Sequence, residues 1–268
     1  MDSRPEAPAV VRAALTGVAQ LLALDPELFD DLKTAVSEAC NNVVLYAYDG
    51  KPGPLVVELD IRAGAIAASV RDWGGGIQHV GSSEERMGIG LAVISALADR
   101  AEFITPPDGG TEVRMSFAGR AAAIRTHARS PDGERPSAVP VTLSGDVVVT
   151  VSPVAVLAGI LGRVTRAVAA RTHLSVDRFS DIRLLTDAIA AFAITAAGGA
   201  AVTFAVTGSH KRVELTLGPF RAGAGAALTE AGRLGASGSP FPAALSEFVV
   251  EPLGGSELLR VVVEERPA

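Results

Sequence analysis

The chain has 268 residues, 48% of them hydrophobic, with 30 acidic against 24 basic side chains and a net charge of −6. That is enough apolar material for one large core or two ordinary ones, and the acidic balance, with no clustered basic face, excludes a nucleic-acid footprint. A single cysteine, Cys40, excludes an internal disulfide framework, and the opening MDSRPEAPAV lacks the basic and apolar regions of a signal peptide, so a reducing cytosol is the expected compartment.

In chain order, residues 8–24 place Val10, Val11, Ala14, Leu15, Val18, Leu21 and Leu22 at helical spacing. A second helix is predicted from about Asp31 to Tyr46, followed by the turn residues DGKPGP. LVVELDIR (55–62) alternates like a strand, and AIAASVRD (65–72) is its hairpin partner. There follow the glycine loop WGGGI, a polar stretch to Arg86, MGIG, and a helix LAVISALADR. Two strands, AEFIT and TEVRMSF, joined by PPDGG, close the unit at about residue 118.

Residues 119–138 are small, charged and proline-bearing without periodicity, which reads as a linker. From 139 to 268 the pattern recurs. PVAVLAGILGRVTRAVAA and DRFSDIRLLTDAIAAFAI read as helices, AAVTFAV and RVELTLG as a strand pair. PLGGSELLRVVV echoes PDGGTEVRMSF, and RFSDIRLLTDAI echoes LFDDLKTAVSEA, so two copies of one domain are expected. Residues 185–206 are long and carry one charge, enough for the length of a membrane span. They are mostly alanine and broken by Gly198-Gly199, and are expected to form helix, turn and strand, with no membrane contact.

Asn41 and Asn42 are the only asparagines in the chain. On a helix of about 100° per residue, Leu32, Ala35, Val36, Ala39 and Val43 form the core stripe; Glu38 and Asn42 lie about 40° apart on its border, and Asn41 falls on the opposite side. Asp72 ends a strand and precedes Trp73 and three glycines; a carboxylate there accepts from an exocyclic amine, and glycines admit a flat ring. MGIGL is expected to open a helix whose free amides bind an anionic phosphate, and Gly109-Gly110-Thr111 turns into the last strand. Each piece alone is also ordinary: a solvated helix edge, a glycine hairpin exit, a hairpin turn. Cys40 is expected to pack as a small apolar residue. Trp73 is left between stacking at a pocket mouth and packing. The four histidines (79, 127, 173, 210) have no metal-ligand spacing, and neither a P-loop nor a Rossmann fingerprint is present.

Together and in this order, SEACNN, DWGGG, MGIGL and GGT resemble the four ATP-binding motifs of the Bergerat-fold family, over about residues 8–118. The resemblance implies an α/β fold, a two-layer sandwich with a mixed sheet covered by helices on one face, here in tandem. It implies ATP and Mg²⁺ as cofactors, with Asn42 holding the metal against the phosphates. Asp72 would read the adenine amine beside Gly74 and Gly76, with Thr111 near the base; Arg86, Gly88 and Gly90 would lie on the phosphate side. Within that family the chain looks most like the anti-sigma factor serine kinases. Glu38 stands four residues before Asn42, where they place a general base, the span from Gly76 to Gly88 makes a short lid, and ERMGIGL looks like their lid end. The histidine they commonly carry four residues after the metal asparagine is Tyr46 here. The implied partners are a sigma factor and a STAS-type anti-anti-sigma protein, the implied activity phosphorylation of a serine. The alternative is a nucleotide-responsive binding module without phosphotransfer. A hydrolysing mechanical ATPase is disfavoured, because the long lid and transducer domain are missing.

The second copy keeps the pattern and loses the ligands. The place of Glu38 falls on Ala188 or Asp187, that of Asn42 on Phe192 or Ala191, and LGPFRAG stands where the first copy has RDWGGGI. A degenerate domain serving as the other half of an intramolecular pseudo-dimer is the corresponding expectation.

Overall fold

The structure, a computed structural model, describes residues 1–62, 65–75, 84–118, 143–199, 201–234 and 245–265. It divides into two units, Met1–Arg129 and Ser130–Ala268. The expected linker falls outside the described residues.

The first unit begins with α1 (Ala7–Leu22) and α2 (Pro26–Asn42). α2 starts five residues before the predicted point, because its start is set by a cap and not by apolar spacing. The Asp25 carboxylate accepts from the amides of Glu27 (3.0 Å) and Leu28 (3.2 Å), and Pro26 opens the first turn. The helix widens into a π-turn over Val43–Ala47 directly after Asn42. β1 (Leu55–Arg62) and β2 (Ala65–Asp72) form the predicted hairpin, with Leu55 opposite Asp72. α3 (Glu84–Leu97), β3 (Arg100–Ile104) and β4 (Glu112–Ala118) complete the unit.

The sheet order is β1-β2-β4-β3, and every pairing is antiparallel. The mixed sheet expected from the resemblance is therefore corrected: β2 and β3 run the same way, but β4 is inserted between them. Ile66, Ala68, Val70, Met115 and Phe117 alternate onto the buried face of the sheet, in one core with Leu32, Val36 and Cys40 of α2 and Ile94 of α3. Each of the larger of these side chains (Val, Leu, Ile, Met, Phe) contributes about 1.5–3 kcal/mol by leaving water. The opposite face carries charge: Arg71 stands opposite Glu112, and Ser69 opposite Arg114.

The second unit contains β5 (Val147–Val151), α4 (Leu157–Ala169), α5 (Val176–Ala196), β6 (Val202–Ser209), β7 (Arg212–Arg221), α6 (Ala224–Leu234), β8 (Glu247–Leu253) and β9 (Ser256–Glu264). Its sheet order is β5-β6-β7-β9-β8, again antiparallel, so β6-β7-β9-β8 repeats the order β1-β2-β4-β3. α6 lies between β7 and β8 in the chain, as α3 lies between β2 and β3. Residues 185–206 divide between the end of α5 and the start of β6, and no described helix is long and apolar enough to cross a membrane.

Candidate functional site

Glu38 and Asn42 sit on the last turns of α2, both half-buried. α3 crosses them at Gly90. A Cβ there would lie 3.2 Å from Asn42 Oδ1, 3.4 Å from its Nδ2 and 3.5 Å from Glu38 Oε2. The missing side chain is thus what lets the helix come down on both polar groups at once. Asn42 Nδ2 is buried with no hydrogen-bond partner among the described residues, and a buried donor left unpaired costs about 1–3 kcal/mol.

Two further segments are fastened to the end of α2. The Gly75 amide donates to Ala47 O at 2.9 Å, and a Cβ on Gly74 would stand 1.9 Å from that same oxygen. Only glycine at 74 allows the loop after β2 to lie on the π-turn. The Tyr48 hydroxyl accepts from the Trp73 amide (2.8 Å) and donates to Pro54 O (2.6 Å); burial pushes its pKa up, which keeps the donating proton in place.

Asp72, at the buried end of β2, accepts on Oδ1 from the amides of Gly74 (2.8 Å) and Thr111 (3.3 Å), and its own amide donates to Thr111 O at 2.9 Å. Burial raises its pKa above the usual carboxylate value, opposed by those two amides and by Arg71. The backbone passes so close here that a Cβ on Gly110 would fall 2.1 Å from Asp72 O, and its φ of +76° already favours glycine. Asp72, Gly74 and Thr111 are therefore one constellation, and Glu38, Asn42 and Gly90 another, joined through the π-turn.

Three expectations change or fall outside. MGIGL does not open a helix: α3 already runs at Glu84, the first described residue of this segment, so Gly88 and Gly90 lie inside it, beyond its first four described residues. The run Glu-Glu-Arg-Met consists of good helix formers and carries the helix ahead of the glycines. Gly76 and the side chain of Arg86 lie outside the described residues. Trp73 does not turn toward Asp72. Its Nε1 donates to Asp108 Oδ2 (3.2 Å), and its ring lies 4.7 Å from the guanidinium of Arg71, which alternates with Asp72 and belongs to the other sheet face. Asp108 was not visible as a partner in the sequence; PPDGG reads only as a turn.

Cys40 is buried and burial pushes its thiol up to about 12, so it packs and does not ionise. No group of three or more His, Cys, Asp or Glu among the described residues could hold a metal alone. Magnesium does not require one: it takes one or two protein oxygens and fills its octahedron from water and phosphate. Asn42, with a free amide donor beside its oxygen, and Glu38 one turn away supply hard donors of that kind, so the residues present fit the ion and a phosphate together.

In the second unit the corresponding places are filled from within. Asp187 is exposed and leans toward Arg183 at 3.9 Å. The N-terminus of α6 is taken by the chain's own carboxylate: Glu257 accepts from the amides of Gly223 (2.6 Å) and Gly225 (2.9 Å). These hydrogen bonds hold its pKa below the usual value.

Residues 1–117 match the histidine kinase-like ATPase domain family. The anti-sigma F factor of Caldanaerobacter subterraneus subsp. tengcongensis is 37% identical over 110 residues, 36% of this chain and 77% of that protein. That of Thermoanaerobacter sp. strain X514 is 35% identical over 105 residues, 35% and 73% of the two chains. The serine-protein kinase RsbW of Bacillus pumilus is 30% identical over 137 residues, 45% and 84%.

Proposed function

The chain belongs to the anti-sigma factor serine kinase family, with its histidine kinase-like ATPase domain at residues 1–117, and on that premise we propose that it is an ATP- and magnesium-dependent protein serine kinase and anti-sigma factor of a bacterial cytosolic partner-switching circuit. The observation that carries this is the packing of Gly90 onto Glu38 and Asn42, which leaves a buried amide without a partner beside a carboxylate.

The substrate is a serine on a STAS-type anti-anti-sigma protein. Its hydroxyl oxygen forms a bond to the γ-phosphorus, the bond from that phosphorus to the β–γ bridging oxygen breaks, and ADP departs with the electron pair. Glu38 takes the hydroxyl proton, a transfer worth about 10²- to 10⁴-fold in rate. Asn42 offers Oδ1 to the metal and Nδ2 to a phosphate oxygen. Magnesium, when bound, neutralises charge on the phosphates. Asp72 accepts the adenine amine through Oδ2, the oxygen on which neither the Gly74 nor the Thr111 amide lands. Gly74, Gly76 and Thr111 line the base, and Arg86, Gly88 and Gly90 the phosphates.

Residues 139–268 are read as a degenerate copy of the same domain that binds no nucleotide. The repeated strand order supports this, as does Glu257 standing in for an anion at the start of α6. Calorimetry tests the whole proposal: one ATP per chain, magnesium-dependent, lost in Asn42→Ala. Glu38→Gln should keep ATP binding and lose transfer of radiolabelled phosphate to the serine protein. A Glu38→Gln variant that transfers at the wild-type rate would remove the base. Binding without transfer in the wild type would leave a nucleotide-responsive binding module, the reading to which Tyr46 at the usual histidine position points.

A further inference from the structure

We propose that Asp108 is a positioning residue for the base side of the nucleotide site: it ties the β3–β4 turn to the end of β2 from the sheet face opposite Asp72. The inference rests on the adenine-reading role proposed above for Asp72.

Two contacts converge on this carboxylate, and a third joins its two partners. Oδ1 pairs with Arg71 Nη2 at 2.5 Å, Oδ2 accepts from Trp73 Nε1 at 3.2 Å, and the Arg71 guanidinium lies over the indole, 4.7 Å from its centre. The carboxyl is held below the usual range, first by the indole hydrogen bond and also by Arg71. Arg71 and Trp73 flank Asp72 in the chain, so the two residues on either side of the base reader are both fastened to the turn.

The turn is packed at Pro106 and Gly110, both buried, but few described hydrogen bonds close it. Gly109 and Gly110 both have left-handed φ, +87° and +76°, so the segment from Pro106 to Thr111 contains the two least restrained backbone positions of the strand connection. Besides the single bond from Gly109 N to Pro106 O (3.0 Å), the exchange between Thr111 and Asp72 is what closes it. The Thr111 amide reaches Asp72 Oδ1 at 3.3 Å, a long bond that a small drift of the turn would break. Losing it would leave Oδ1 held by the Gly74 amide alone, and so less firmly kept in the orientation in which Oδ2 faces the base. Asp108 thus touches no ligand; it keeps the amide that orients the carboxylate. Trp73 is the chain's only tryptophan and therefore reports directly on the tether.

The experiment uses the full chain with Asp108→Ala and Asp108→Asn. Mg-ATP and Mg-tripolyphosphate, which lacks the base, are titrated by calorimetry, and Trp73 emission and acrylamide quenching are recorded. In Asp108→Ala the ATP dissociation constant should rise about three- to tenfold, the loss of one hydrogen bond's worth of orientation. Tripolyphosphate affinity should stay at the wild-type value, and Trp73 should shift to the red and quench more readily. Asn, which keeps one acceptor, should fall between. Equal weakening of both ligands would overturn the proposal, since that is what general loosening of the domain produces; so would ATP affinity and emission both unchanged. Should the wild type bind no ATP, the functional reading fails by itself. Hydrogen exchange at the Thr111 amide then decides the tether: faster in Asp108→Ala upholds it, unchanged overturns it.

Discussion

Gly90→Ala separates what this helix position does for stability from what it does for chemistry. Gly90 lies inside α3, where replacing glycine by alanine contributes about 1 kcal/mol through backbone entropy. Against this, the new methyl would stand 3.2 Å from Asn42 Oδ1 and 3.4 Å from Nδ2, closer than ordinary contact, so the amide must yield by a few tenths of an ångström. Holding a side chain off its rotamer by about 30° costs roughly 0.5–1.5 kcal/mol. The two terms nearly cancel, and the melting temperature should move by no more than about 4 °C in either direction. Phosphotransfer has no such compensation. Asn42 would be displaced from the geometry proposed to align metal and phosphate, while Glu38 Oε2, 3.5 Å from the methyl, stays at ordinary contact. Since a misplacement of about 1 Å can cost 10²-fold, a few tenths should lower kcat/KM about three- to tenfold. Thermal denaturation and transfer of labelled phosphate, on the same preparation, make the comparison. Unchanged transfer would refute the idea that the space over Gly90 is catalytic; a loss of transfer with a fall in melting temperature well beyond 4 °C would show that only packing had been disturbed.

Two further substitutions test the electrostatics. Asp72 has a folded pKa raised above its unfolded value by burial, so the folded state binds the proton more tightly and stability declines as pH rises through that window. Asp72→Asn keeps an oxygen to accept from Gly74 and Thr111, and should raise the melting temperature at pH 7 while weakening ATP binding by about tenfold or more; a variant less stable than wild type would contradict the sign. Glu257 has the opposite shift, its pKa depressed by the amides at the start of α6, so its contribution is present above the unfolded value and is lost as pH falls through the folded one. Glu257→Gln should melt below wild type at pH 7, and the two curves should converge as the pH is lowered past the carboxylate range; a gap that persists in acid would mean the side chain acts by shape alone.

The strands and most of the helices were legible because alternation and helical spacing state them directly: β1 and β2 fall on LVVELDIR and AIAASVRD without a residue's difference. The start of α2 was misplaced because capping by Asp25 is one hydrogen-bonding group and carries no period. α6, β5 and β8 were not foreseen: AGAALTEAGRL is short and rich in alanine and glycine, VVVTV is a short apolar run without flanking alternation, and EFVVEPL carries a proline. At the site, the motifs named the residues but not their contacts. That Gly90 covers Asn42, that Gly74 lies on Ala47 and that Asp108 holds Trp73 all depend on approach between segments far apart in sequence, where no local pattern records a distance.

The two units put their polar groups to opposite uses on one strand order. In the second, Arg178 is buried yet engaged by Glu264 O (2.6 Å), Asp181 (2.7 Å) and Ser246 Oγ (3.1 Å), and Glu257 occupies the amides at the start of α6. In the first, two groups at the candidate site depart from this: Asn42 Nδ2 has no partner among the described residues, and Asp72 is a carboxylate held in a site that disfavours its charge. Both cost stability in the resting protein, and on the proposed function both would be relieved by the same kind of molecule, one with phosphate acceptors at one end and an exocyclic amine at the other. Local sequence preference and function therefore pull apart at this site. Mg-ATP should therefore raise the melting temperature of the first unit and leave that of the second unchanged, following RT ln(1 + [L]/Kd). A second transition that also rises with ATP would mean that the second unit, with Glu257 in place, still takes nucleotide.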